Sequence, residues 1–127
     1  MNTEEVIKYI EIIKRLEKSR FRSKFRLDKR DLEYMESLDE GIIEKHSIEI
    51  LTKKIKEYNE KDGKQTPWKG HPVFTAQHAL ALCCRECMRK WYRIPAKRNL
   101  SENELEFFSG LVSFWINREE RFLKGMK

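Results

Sequence analysis

Residues 101–124, SENELEFFSGLVSFWINREERFLK, predict a long amphipathic α-helix. Ser101 and Glu104 have the spacing of a capping box, in which each side chain accepts a hydrogen bond from the other residue's backbone N–H at the helix start. Apolar side chains then recur at three- and four-residue steps, which is the period of one helical face: they are Leu105, Phe108, Leu111, Val112, Trp115 and Phe122. The stretch therefore favours a fold in which helices pack on helices.

The chain upstream of this helix carries the same period in shorter segments. Four more helices are predicted, over residues 3–18, 28–38, 42–58 and 72–92. Between the first two of them lies FRSKFRL (21–27), whose alternation of apolar and basic residues fits a short extended arm or a hairpin. About five helices with short connections predict a mostly α, compact bundle that forms a single domain over residues 1–127.

Charge is segregated along the sequence. Residues 14–30 and residues 61–98 each hold nine lysines and arginines against two acidic residues, whereas residues 31–60 hold four lysines against nine acids. A net charge of +6 distributed in this way favours a polyanionic partner, either nucleic acid or an acidic protein surface. No apolar run approaches the roughly 20 residues of a membrane span. Three cysteines make a poor disulfide framework, so we expect a cytoplasmic protein without a membrane segment.

All three cysteines and two of the three histidines fall in GHPVFTAQHALALCCREC (70–87). Cys84 and Cys87 have the spacing of a zinc knuckle, and His71 and His78 would complete a set of four zinc ligands. On one continuous helix, however, the two histidines lie within about 20° of each other and the cysteines lie on the opposite side. Buried core cysteines are therefore the alternative interpretation, because free cysteine commonly behaves as a small hydrophobic residue.

The histidine face of that helix predicts a second kind of site. His71, Thr75, His78, Arg85 and Arg89 fall within about 80° of arc, directly after the polar loop DGKQTPWKG that opens at residue 62. A histidine can transfer a proton near neutral pH, and an arginine can bind a phosphate with two donors. The candidate catalytic residues are His71, His78, Asp62 and Arg85. A solvated polar face without chemistry is the alternative.

The basic stretch KRLEKSRFRSKFRLDKR (14–30) interleaves cations with Phe21 and Phe25. Cations suit phosphate groups and exposed rings suit stacking on bases, although phenylalanines at alternate positions could equally anchor the segment to the core. The candidate binding residues are Arg20, Arg22, Lys24 and Arg26 in this stretch, and Lys64, Gln65, Thr66, Lys69 and Arg89 beyond it.

The block DGKQTPWKGHPVFTAQHALALCCRECMRKWYRIP (62–95), together with FRSKFRL, resembles a small bacterial and phage-associated family whose domain has no known function. The family pattern reads approximately DGKQTP, GHPVF, AQHA, CCRxC and KWH, and the resemblance spans most of the chain. It implies that residues 62–66, His71, Gln77, His78, Cys83, Cys84, Arg85, Cys87 and Trp91 occupy signature positions, and that His46 matches a family histidine. The family's histidine after the tryptophan is Tyr92 here. The resemblance thus marks a site without naming its chemistry.

Two functions follow from these patterns. The first is a basic helical binding module for nucleic acid or a nucleoprotein machine, which in a phage-borne copy would regulate or inhibit a host nucleic-acid enzyme. The second is a small enzyme that acts on a phosphate-bearing or nucleotide-like substrate through His71, His78 and Arg85, with zinc assisting. The sequence does not decide whether the protein is an enzyme.

Overall fold

The computed structural model describes residues 2–58 and 63–125, and within these ranges all regular structure is α-helical. The mostly α prediction is confirmed, with seven helices in the described residues where about five were expected. They are α1 (Thr3–Glu17), α2 (Arg20–Ser23), α3 (Lys29–Glu36), α4 (Ile42–Ile55), α5 (Pro72–Ala79), α6 (Arg85–Tyr92) and α7 (Glu102–Gly125).

Helix α7 is the longest element and the centre of the bundle. It starts at the predicted capping box, where the Glu104 backbone N–H donates to Ser101 Oγ at 3.1 Å and the Ser101 N–H donates to Glu104 Oε1 at 2.9 Å. Its apolar face packs against α1, α3, α4 and α5 and is buried as far as Ile116. Phe122 is 55% exposed and lies instead beneath the guanidinium of Arg26.

Helix α1 meets α7 at a glycine. The buried ring of Tyr9 lies against Gly110, and a Cβ atom at position 110 would stand 2.3 Å from the Tyr9 hydroxyl oxygen. The same hydroxyl donates a hydrogen bond to the Phe107 carbonyl at 3.0 Å. The missing side chain therefore lets an aromatic ring dock directly on the α7 backbone.

The segment that was expected to form an extended arm or hairpin contains no strand in its described residues. Residues 20–23 form the single helical turn α2, because the Ser19 hydroxyl accepts the Arg22 backbone N–H and starts a turn. The chain then runs without regular structure to Asp28, which begins α3 through a reciprocal capping box with Asp31. Local capping side chains, rather than the alternation of apolar and basic residues, decide this conformation.

The predicted continuous helix over residues 72–92 is wrong. Helix α5 ends at Ala79, Ala81 adopts a left-handed backbone conformation with φ of 58°, and α6 begins again at Arg85. The side chain of Gln77 stabilises the break by donating to the Leu82 carbonyl at 3.0 Å, and Cys84 Sγ caps the new helix by accepting the Cys87 backbone N–H at 3.4 Å. Neither glycine nor proline occurs between residues 79 and 84, so the sequence carries no ordinary sign of this break.

Across the described residues, no helix combines the length and the apolar character that crossing a membrane requires.

Candidate functional site

The break between α5 and α6 brings the three cysteines together. The Sγ atoms of Cys83, Cys84 and Cys87 lie within 4.8 Å of one another, and all three thiols are free. Cys83 and Cys84 are buried, whereas Cys87 is partly exposed. Three sulfur donors at this separation could hold a metal ion.

A buried arginine lies directly on this cysteine cluster. Arg22 of α2 is only 7% exposed, and its Nη2 donates to Cys87 Sγ at 3.1 Å. Its Nη1 donates to the His78 backbone carbonyl at 2.8 Å and lies 3.6 Å from Cys83 Sγ. A buried guanidinium needs a negatively charged partner, and in this site the cysteine sulfurs provide it.

The three thiols differ sharply in acidity. Hydrogen bonds from the Cys83 and Cys84 thiols, followed by the bond from the Arg22 guanidinium, hold the pKa of Cys87 well below its ordinary value. The pKa of Cys84 is raised because its thiol donates to its two neighbours and because it is buried. Cys87 is therefore the most acidic of the three thiols, and it is the one that accepts a hydrogen bond from Arg22 Nη2.

The other side of Arg22 faces a stack of rings. The imidazole of His78, 4% exposed, lies parallel to Trp68 with ring centroids 4.1 Å apart and also stacks on Phe25 at 5.3 Å. Its Nε2 donates to the Pro67 carbonyl at 3.2 Å, so the ring holds the 63–70 loop against α5. Burial lowers the pKa of His78. A neutral, stacked imidazole of this kind is a structural platform.

The two rings that stack on His78, those of Trp68 and Phe25, form the floor of a surface groove of about 960 Å³ between α2, α3 and the 63–70 loop. Four aromatic side chains line it: Phe21, Phe25, Tyr34 and Trp68. Trp68 is 60% exposed and Phe21 is 43% exposed, so a ligand can reach part of each ring, although Lys24 Nζ lies over the Phe21 ring at 4.6 Å. The groove joins the two basic segments, residues 14–30 and 61–98, that the sequence analysis treated as separate surfaces.

The charge of the groove is mainly positive. Lys24, Arg30 and Lys69 line it, and none of the three forms an ion pair with a carboxylate in the described parts of the chain. The two acidic groups at its edge, Asp28 and Asp31, are engaged in capping α3. The groove therefore combines exposed rings with available cations.

His71 lies at one end of the groove, where it is paired with a second histidine. Its Nδ1 accepts the Val73 backbone N–H at 3.0 Å and caps α5, and its Nε2 lies 3.1 Å from His46 Nδ1. Burial, and then the charge of His46, lower the pKa of His71 to about 4. His71 is thus neutral near pH 7, with Nε2 as the proton-bearing nitrogen that donates to His46.

Arg85 does not join the two histidines. It is 1% exposed, and its guanidinium donates to the backbone carbonyls of Ile55, at 3.0 Å, Pro95, at 3.2 Å, and Arg98. These bonds tie the 93–100 connection to the end of α4. The arrangement is that of a structural arginine within the core.

The remaining predicted residues are dispersed. Lys24, Arg26 and Lys69 line the groove, while Arg22 lies on the cysteines. Thr66 is buried and donates to the Cys83 carbonyl at 2.8 Å, and Gln65 Oε1 accepts the Gly63 N–H at 2.7 Å. The side chains of Arg20 and Lys64 are exposed, and Arg89 is exposed and paired with Glu86. Asp62 lies outside the described residues.

The structure changes which residues form the potential metal site. Cys84 and Cys87 do form part of a cluster, but its third member is Cys83; His71 and His78 are not in the group of potential ligands found among the described residues. Cys83 was left out of the predicted set of four zinc ligands, and Trp68 was not among the predicted binding residues. The presence of all three cysteines within residues 83–87 could have signalled the first. Trp68 beside two lysines, at 64 and 69, could have signalled the second.

The fold and the site define a small all-helical domain with a cysteine cluster next to an aromatic, basic groove. The chain belongs to the family described as "Domain of unknown function (DUF4186)", whose model matches residues 10–117. No solved structure matches the chain.

Proposed function

We propose that the protein binds single-stranded nucleic acid in the groove between α2, α3 and the 63–70 loop. The observation that supports this function best is one groove of about 960 Å³ that combines exposed aromatic rings with cations that form no ion pair among the described residues. Bases stack on exposed rings, and lysines and arginines bind the phosphates between them. Phe21 and Trp68 are the stacking residues, and Lys24, Arg30 and Lys69 are the phosphate contacts.

The aromatic rings favour nucleic acid over an acidic protein. A carboxylate-rich surface would engage Lys24 and Lys69 but would leave the exposed part of Trp68, which is 60% exposed, uncovered. A single strand is favoured over a duplex because its bases are free to stack on the protein. A regulator or inhibitor of a nucleic-acid enzyme, the role suggested by the phage-associated resemblance, would use the same contacts. The enzymatic alternative has less support, because Arg85 is buried and bound to backbone carbonyls.

Binding of a short fluorescent oligonucleotide, measured by anisotropy at several salt concentrations, tests the proposal. Three phosphate contacts predict a log–log slope of affinity against salt of roughly −2 for a single strand. We expect DNA or RNA single strands to bind more tightly than a duplex of the same length. Absence of binding to either single strand at about 50 mM salt, where electrostatic affinity is high, would exclude the proposal.

A matched pair of lysine variants separates the groove from general surface charge. Lys24→Ala removes a groove cation, whereas Lys90→Ala removes an exposed lysine of α6 that does not line the groove. Lys24→Ala is expected to reduce the salt slope by about 1, and Lys90→Ala to leave it unchanged. Equal losses from the two variants would mean that binding is diffuse and that the groove is not the site.

A further inference from the structure

We propose that Cys83, Cys84 and Cys87 bind one divalent, thiophilic ion such as Zn²⁺, that Arg22 balances its charge, and that the bound ion holds the floor of the groove in place. The effect of the ion on nucleic-acid binding rests on the proposed function. The ion and its effect on the floor can be measured without nucleic acid.

The spacing of the sulfur atoms suits such an ion. Zinc binds thiolates at about 2.3 Å, which puts the sulfurs of a tetrahedral site roughly 3.8 Å apart. The three Sγ atoms already lie within 4.8 Å of one another, so small side-chain rotations bring them into range. All three are free thiols, and two of them are buried in a position that shields the site from solvent. Three protein ligands leave a fourth position for water or another donor.

Charge selects a divalent ion. Three thiolates around a divalent cation carry a net charge of −1, and the buried guanidinium of Arg22 contributes +1 at 3.1 Å from Cys87 Sγ. The two together are neutral, which is the arrangement that a buried site favours. A monovalent ion would leave the same group with one uncompensated negative charge. N–H donors to metal-bound sulfur are a usual outer shell of thiolate sites.

Arg22 also connects this site to the groove. Through Nη1 it donates to the carbonyl of His78 at 2.8 Å, and the ring of His78 supports Trp68 at a centroid distance of 4.1 Å. Its neighbour Phe21 in α2 is itself a groove residue. When the thiolates close on an ion, Arg22 is held by both sulfur and carbonyl, so that α2, the α5 end and the 63–70 loop become one rigid unit.

Metal analysis of protein purified without a chelator or a histidine tag tests the ion directly. We expect about one zinc per chain, or, after removal of the metal, a cadmium titration that ends at one equivalent. The thiolate-to-cadmium charge-transfer absorption should have the intensity of three thiolates. A chain that binds no stoichiometric zinc or cadmium, under reducing conditions in which it remains folded, overturns the proposal.

Cys84→Ser removes a sulfur while preserving the helix start, because serine is itself a favoured N-cap residue and Cys84 caps α6. This variant should keep the helical circular dichroism of the wild type and lose stoichiometric zinc. Arg22→Ala should weaken zinc binding roughly 10- to 100-fold, as the loss of an outer-shell partner does in other sites. Arg20→Ala, on the same helix but exposed, is the control and should bind as the wild type. Wild-type affinity in Cys84→Ser would exclude the three-sulfur site.

Hydrogen exchange followed by mass spectrometry tests the effect on the floor. Adding zinc to the metal-free protein should slow exchange in peptides that cover residues 20–25 and 63–78. Peptides from α4, residues 42–55, serve as the internal reference and should not change. Zinc binding without protection of the groove segments would overturn the coupling. Protection together with a failure to bind nucleic acid would support this inference and reject the proposed function.

Discussion

Arg26 and Glu119 form a two-pronged ion pair that joins the basic segment to the last helix. Arg26 Nε and Nη2 donate to Glu119 Oε1 and Oε2, each at 2.8 Å. Glu119 is 3% exposed and also accepts the Leu27 backbone N–H at 3.1 Å. One carboxylate thus satisfies three donors and fixes the path of the chain after α2, on which the wall of the groove depends.

Replacement of this carboxylate should destabilise the protein. Glu119→Ala leaves the Leu27 N–H without its acceptor and a guanidinium without its counter-ion, so we expect a loss of about 2–4 kcal/mol in the free energy of unfolding. Urea denaturation measures the loss. Glu120→Ala is the matched control, since the ion pair that Glu120 forms among the described residues is a long 3.8 Å contact with Lys124, and it should change stability by less than about 1 kcal/mol. Similar losses in both variants would contradict the structural role of Glu119.

Arg85 should prove structural. Arg85→Met preserves most of the side-chain volume but leaves three backbone carbonyls without their donor, and we expect a loss of about 3 kcal/mol or more. The exposed Arg89 in the same helix is the comparison, and Arg89→Met should melt close to the wild-type temperature. Thermal denaturation of the pair would show the difference. An Arg85→Met protein with wild-type stability would reopen a functional role for this residue.

Trp68 should carry much of the affinity for single strands. Trp68→Ala removes a stacking surface and is expected to weaken binding by about 1–3 kcal/mol, which corresponds to roughly 5- to 150-fold. Tyr58→Ala is a suitable control because Tyr58 is 38% exposed but does not line the groove. Oligonucleotide anisotropy at one fixed salt concentration compares them. An unchanged affinity in Trp68→Ala would show that stacking does not contribute.

The stability of the protein should fall between about pH 6.5 and pH 4 because of His71. Its pKa is lowered from 6.5 to about 4 in the folded state, so the unfolded chain binds more protons in that window. The stabilisation is complete above pH 6.5 and is lost as the pH falls through the folded pKa. Because His71 is partly exposed, we expect its contribution to the free energy of unfolding to be about 1–2 kcal/mol, which is less than the full pKa shift would give.

His71→Asn isolates this effect, because asparagine can still accept the Val73 N–H at the start of α5 but does not titrate. Denaturation at pH 7 and pH 5 should show a smaller loss for His71→Asn than for the wild type, while carboxylate titrations affect both proteins alike. Parallel losses in the two proteins would mean that His71 is not the source of the pH dependence.

The sequence predicted those parts of the molecule that local chemistry decides. Ser101 and Glu104 form the capping box that their spacing implies, and the apolar period of residues 105–116 is buried as expected. The break at Ala81 could not be foreseen, because the segment around it is held by tertiary hydrogen bonds from Arg22 to the His78 carbonyl and from Thr66 to the Cys83 carbonyl. That error also affected the expected site, because a shared face of His71, His78 and Arg85 requires a continuous helix, whereas Arg85 begins a new helix and is buried in the core.

The burial of Arg22 also could not be predicted from the sequence. In the sequence it is one of nine basic residues in a stretch expected to face a polyanion, and nothing local distinguishes it from Arg20 or Lys24. Its burial follows from cysteines more than sixty positions away. The groove likewise joins residues 21–34 to residues 68–75, a proximity that no periodicity within either segment could indicate.

The glycine at position 110 has a consequence for the opposite end of the bundle. The Tyr9 ring needs the space that Gly110 leaves on α7, and this requirement fixes the position of α1 along the α7 axis. A shift of α1 by one helical turn, about 5.4 Å, would bring the ring into collision with Phe107 or Phe114. Two residues separate α1 from α2, so this setting is passed on to Phe21 and Arg22. The position of α2 at the groove therefore depends on the missing side chain at Gly110, although α7 itself does not line the groove.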